Sequence, residues 1–178
     1  MFLLKQYPEY IFNFEGAVKY AWMKEYYPAQ YEEMKKFIES GRWHISGASW
    51  DATDTLVPSI ESALRNIMLG QDYYRKEFGV ESTDIFLPDC FGFGWTLPAI
   101  ASHCGLIGFS SQKLQWRNKP FYGNDKYPFT VGLWQGIDGS TIMMTHGYDY
   151  NQRFEDGDLS ENKDLLELTG HSPLHMVY

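Results

Sequence analysis

Apolar residues change their rhythm several times along the chain, and each change marks an element. "YIFNFEG" (residues 10–16) puts Ile11, Phe12 and Phe14 in a short apolar run closed by Gly16, the pattern of a strand. Ahead of it, "LLKQYPEY" reads as the end of a helix running into that strand. From Ala17 to Glu39, the positions Val18, Trp22 and Tyr26, then Tyr31, Met34, Phe37 and Ile38, recur at helical spacing. Pro28 has no amide hydrogen and clashes with the turn before it, so this helix is expected in two pieces, with Gly41 ending the second. "WHISGAS" (43–49) reads as a second strand. Ser59 is a candidate N-cap for a helix from Ile60 to about Phe78, with Ser62 where a full capping box would carry an acid or amide, and Gly79 stops it. "DIFLPD" (84–89) is a third strand, "TLPAIASHCG" (96–105) a short helix and "LIGFSSQKL" (106–114) a fourth strand. "TVGLWQGIDGSTIMMTHG" (130–147) reads as a hairpin turning at Asp138-Gly139, and a last helix is expected over Ser160 to Thr169.

Strands alternating with helices imply βαβ units and a parallel sheet, hence an α/β fold. In such sheets ligands bind beyond the carboxyl ends of the strands. Asp51 and Asp54 follow the second strand, Asp89 ends the third and Lys113 ends the fourth, so all four are expected on one face. No linker or repeat divides the 178 residues.

Composition narrows the partners. The formal charge of −8 comes from 15 basic and 23 acidic residues with no basic block, which argues against nucleic acid and anionic membranes and leaves a neutral ligand as the better fit. Aromatic residues reach 17%, and their faces suit both dense cores and the stacking of sugar rings. Cys90 and Cys104 make neither a disulfide framework nor a zinc-knuckle spacing. No apolar run approaches membrane-spanning length, and "MFLLKQYPEY" has no signal-peptide core or cleavage site.

The chemistry concentrates in "TDIFLPDCFGFGWTLPAI" (83–100). Asp89 stands among Phe86, Leu87, Pro88, Cys90, Phe91 and Phe93, and a carboxylate in apolar company needs a cation, a hydrogen-bond cage or a raised pKa. The plainer alternative is an Asp that caps its own loop or the next helix.

"FLPDCFGFGWTLPAIASHCGLIGFSSQKLQW" resembles the core of the glycoside hydrolase family 38 α-mannosidases, with its Leu-Pro-Asp, Phe-Gly, Leu-Pro and Gln-Lys in order. "GRWHISGASWDATDTLVPSIESALRNIMLGQDYYRKEFG" is similar to the family's Trp-x-x-x-Asp segment and following helix, and "GLWQGIDGS" to a third family stretch. The resemblance implies an incomplete, parallel-stranded (β/α)7-type barrel of the glycoside hydrolase and deacetylase kind, with residues 1–178 a fragment of one N-terminal catalytic domain. It implies retaining, zinc-dependent hydrolysis of terminal α-mannosides in glycans, with Asp89 as nucleophile and as one ligand of a single Zn²⁺. Phe91 would line the sugar subsite, or simply pack in the core. Lys113, after Gln112, would orient nucleophile and sugar, or be a solvated surface lysine. Trp50 and Asp54 would line or support the pocket. Asp51 has no clear family role and reads as a loop or cap residue.

The chain also departs from that family. A His-x-Asp zinc motif is expected before "YPEYIFNFE", and none of His44, His103, His146, His171 and His175 has Asp two residues on. His171 and His175 have helical i, i+4 spacing, but Pro173 lies between them. The remaining zinc ligands and the general acid are therefore expected outside this chain, with the fragment alone inactive. Its open sheet edges would take the remainder of the same enzyme or a second copy. The rival readings are a zinc polysaccharide deacetylase and a non-catalytic or degenerate carbohydrate-binding domain. The compartment is not legible.

Overall fold

The computed structural model describes residues 1–113 and 131–145. In chain order the elements are α1 (Phe2–Gln6), β1 (Phe12–Phe14), α2 (Ala17–Tyr26), α3 (Pro28–Glu39), β2 (Trp43–Ile45), α4 (Ile60–Phe78), β3 (Asp84–Phe86), α5 (Leu97–His103), β4 (Gly108–Ser110), β5 (Val131–Gln135) and β6 (Thr141–Thr145). The expected helix over 160–169 and His146, His171 and His175 lie outside the described residues.

Local chemistry sets the boundaries. Pro28 opens α3, where its missing amide hydrogen goes unneeded, so the break falls at Tyr27. Ser59 caps α4 by accepting from the Ser62 amide at 3.2 Å, and Gly79 ends it in the left-handed conformation at φ 69°. Strands come out shorter than their apolar runs, at three residues each for β1 to β4.

β1 and β2 pair in parallel as one sheet, and a second sheet runs β3-β4-β6-β5. β3, β4 and β6 are mutually parallel, and β5 is the antiparallel edge. The ladder is interrupted between β2 and β3. There Gly47 turns at φ 71°, its amide donates to Asp84 Oδ1 (3.0 Å), and the Ala48 amide donates to the Asp84 carbonyl (2.9 Å). The hairpin forms where expected, and its second strand takes the inner place: Ile142 and Met144 of β6 are buried, whereas Leu133 of β5 is exposed.

Two apolar clusters hold helices to these sheets. One gathers Tyr20, Tyr31, Trp43 and Tyr74 beneath α2, α3 and α4; the other gathers Ile85, Leu97, Ile100, Phe109, Ile142 and Met144. α4 serves both, through Ile67 to one and Tyr74 to the other. In the aromatic cluster Tyr20 accepts from Trp43 Nε1 (3.0 Å) and donates to the Phe14 carbonyl (3.0 Å), so its buried hydroxyl is satisfied on both sides. No described helix is long and apolar enough to cross a membrane.

Candidate functional site

The loops that leave β2, β3 and β4 at their carboxyl ends carry the residues of interest. Asp89 lies beyond β3 and Lys113 beyond β4, and because those strands are parallel neighbours their ends lie side by side. Lys113 Nζ binds Asp89 Oδ1 at 2.7 Å, a charge-assisted hydrogen bond. The same ammonium sits 4.9 Å from the centre of the Phe91 ring, within cation–π range. Asp89, Phe91 and Lys113 therefore form one cluster.

Its burial differs from the apolar setting that the neighbouring residues suggest. The Asp89 side chain is 67% exposed, whereas that of Lys113 is only 15% exposed. Phe86, Leu87 and Phe93 belong to the strand and the core beneath, while the loop turns the carboxylate outward. The desolvation problem is thus mild, and the cation beside Asp89 among the described residues is Lys113. Next to them, Gln112 Nε2 is buried with no hydrogen-bond partner among the described residues. Burial pushes the Cys90 thiol up, and the Asp54 and Asp89 carboxylates add to the shift, so Cys90 is a poor nucleophile.

The other two residues expected at the site are placed differently. Trp50 packs edge-on against Tyr73 of α4, with ring centres 5.8 Å apart, as a flank of the aromatic cluster. Its chain segment is pinned to α4: the Trp50 amide donates to the Asn66 carbonyl (2.8 Å), and the Asn66 side chain exchanges two bonds with the backbone of Asp51. Asp54 caps its own turn, Oδ1 accepting from the amides of Leu56 (2.6 Å) and Val57 (3.0 Å). Asp54 also lines a cavity with Thr53, Thr55, Thr96 and Leu97, but its ≈ 20 Å³ holds about one water and no sugar ring. Asp51 is exposed. Neither Thr53 nor Thr55 stood out in the sequence, yet both reach across to the Asp89 loop.

A zinc site needs three or four ligands. Among the described residues, no group of three or more His, Cys, Asp or Glu comes together that could hold a metal ion. The described residues alone therefore do not fit Zn²⁺. Asp89 is still chemically able to be one ligand, since a carboxylate whose Oδ1 meets Lys113 has a second oxygen.

The comparisons agree on the kind of protein. Alpha-mannosidase G of Dictyostelium discoideum is 37% identical over 166 residues, covering 89% of this chain and 15% of that protein. Alpha-mannosidase 2C1 of Homo sapiens is 32% identical over 142 residues, covering 80% of this chain and 13% of that protein. The chain thus spans a small part of these curated relatives. The crystal structure of an alpha-mannosidase from Enterococcus faecalis V583 superposes with a TM-score of 0.68 at 23% identity, over 81% of this chain and 16% of that one, a likeness of fold. Residues 1–169 match the glycosyl hydrolases family 38 N-terminal domain, and the chain belongs to that family.

Proposed function

We propose that this chain is part of the N-terminal catalytic barrel of a retaining α-mannosidase, with Asp89 as the nucleophile. The observation that carries the reading is the exposed Asp89 carboxylate, held at 2.7 Å by a mostly buried lysine at the end of the neighbouring parallel strand. That position, beyond the carboxyl ends of parallel strands, is where α/β barrels place their chemistry.

The geometry supports a role for each residue. Lys113 restrains Asp89 from the β4 side, so the carboxylate meets a bound sugar in few orientations. Phe91, half exposed beside that pair, offers an apolar face to a pyranose ring. An Asp89 oxygen attacks the anomeric carbon; the new carbon–oxygen bond forms as the bond to the leaving oxygen breaks. That oxygen takes a proton from a general acid beyond the described residues. Water, deprotonated by the same group, then releases the sugar and restores the carboxylate. Trp50 and Asp54 support the face, one by anchoring its segment to α4 and the other by shaping its turn. Zinc is proposed as a cofactor of the complete enzyme: Asp89 would be one of its ligands, the others would come from outside the described residues, and the ion would supply Lewis-acid binding of sugar hydroxyls. The substrates proposed are terminal α-mannosides of glycans.

Replacing Asp89 by Asn or Ala in the complete enzyme should abolish nearly all hydrolysis of an aryl α-mannoside while leaving the fold intact. Turnover at the parent rate would remove Asp89 from the mechanism.

A further inference from the structure

Lys113 grips Asp89 from one side; the loop after β2 grips the Asp89 loop from the other. Thr55 Oγ1 donates to the Gly92 carbonyl at 2.8 Å, and Cys90 Sγ lies 3.2 Å from the Thr53 carbonyl. Leu56 rests on Gly92 so closely that a Cβ there would come within 2.6 Å of Leu56 Cδ1. Gly92 also sits at φ 132°, a conformation that side chains rarely adopt. The gripping loop is itself rigidified by the Asp54 cap on the Leu56 and Val57 amides. Thr53, Asp54 and Thr55 also line the small cavity, so on that side the loop is held less by packing than by its hydrogen bonds.

We infer that Thr55 is a positioning residue for the reaction: its hydroxyl, through the Gly92 carbonyl, fixes the 89–94 loop that aims Asp89 and Phe91 at the sugar. The inference rests on the assignment of Asp89 as nucleophile. Neither residue of the contact touches the reacting atoms. Displacing a nucleophile by about 1 Å can cost ~100-fold in rate, so a loop tether three residues away is enough to matter.

The test uses the complete enzyme and three variants. Thr55→Val keeps the shape and removes the donor. Amide hydrogen exchange across 90–94 should quicken by about 5-fold or more, and kcat should fall by about 10- to 100-fold with KM within about 3-fold. Thr55→Ser, which restores a hydroxyl, should return kcat to within about 3-fold of the parent. Counting active sites with a fluorinated mannosyl fluoride that traps the glycosyl-enzyme keeps misfolded protein from being read as slow chemistry. Gly92→Ala attacks the contact from the other loop and should give the same pairing of faster exchange and lower kcat; it decides the matter if Thr55→Val does not fold. Unchanged exchange across 90–94, an unchanged kcat per titrated site, or a Ser variant as slow as the Val variant would each overturn the inference. Failure of the Asp89 assignment shows separately, as full turnover by Asp89→Asn, while the exchange readout still reports on the contact itself.

Discussion

Gly70 lies in the middle of α4, where a glycine ordinarily weakens a helix by about 1 kcal/mol relative to alanine. On propensity alone, Gly70→Ala should stabilise. The packing says the opposite. A Cβ on Gly70 would meet the Ala48 carbonyl oxygen at 2.2 Å and the Ser49 carbonyl carbon at 2.4 Å, both backbone atoms that cannot rotate away. Such contacts are essentially never seen under 3.0 Å, so α4 must withdraw from the 48–51 segment by at least the difference, 0.8 Å at the oxygen. That withdrawal stretches the Trp50–Asn66 backbone bond and both Asn66–Asp51 bonds. Three bonds weakened at about 1 kcal/mol each, against the ~1 kcal/mol gained in propensity, leave a net loss of roughly 2 kcal/mol. Local stability of this size is readable by native-state hydrogen exchange in the complete enzyme, where about 2 kcal/mol is a ~30-fold faster exchange of the α4 amides near Gly70. Slower exchange, or a gain in stability near 1 kcal/mol, would refute the close approach of α4 to the end of β2.

Ser59→Ala should lose the cap on α4 and cost about 1 kcal/mol, with Ser59→Asp near neutral; an Ala variant as stable as the parent in urea unfolding would contradict the cap. Burial above all raises Tyr20, Tyr31 and Tyr74, so the folded state keeps phenols that ionise near pH 10 once unfolded. The stability they lend is full below about pH 10 and is lost as pH rises beyond it. Tyr74→Phe, which gives up a 3.3 Å bond to the Gly47 carbonyl and a backbone bond with Gly16, should move the alkaline unfolding midpoint upward by circular dichroism; a lower midpoint would count against the buried cluster. The isolated chain should show negligible turnover of an aryl α-mannoside and weak zinc affinity, and micromolar or tighter binding by calorimetry would contradict that. The complete enzyme should lose activity to a chelator and regain it with zinc.

Much of this was legible because the signals are local. Pro28, the Ser59 cap, and Gly79 and Gly105 at helix ends place boundaries through their own backbone chemistry. The Asp89–Lys113 meeting was legible one level up, since residues ending two adjacent parallel strands must be neighbours. What escaped depends on side-chain direction and distant contacts. Asp89 has apolar neighbours in sequence, yet the loop turns it to solvent. Trp50 reads equally well as a pocket wall or a core flank, and only the pinning of its segment to α4 through Asn66 brings it to Tyr73. Thr55 and Gly92 lie 37 residues apart, and a lone threonine in a polar loop carries no pattern that points to its partner. Which hairpin strand joins β4 follows from the burial of Ile142 and Met144, which alternation within each strand does not decide.

The central claim is that Asp89 forms the bond to the sugar. Incubating the complete enzyme with a fluorinated mannosyl fluoride and mapping the labelled peptide by mass spectrometry tests it directly. A single glycosyl adduct on Asp89, absent from Asp89→Asn, is expected. An adduct on another carboxylate, or inactivation of Asp89→Asn at the parent rate, would contradict it.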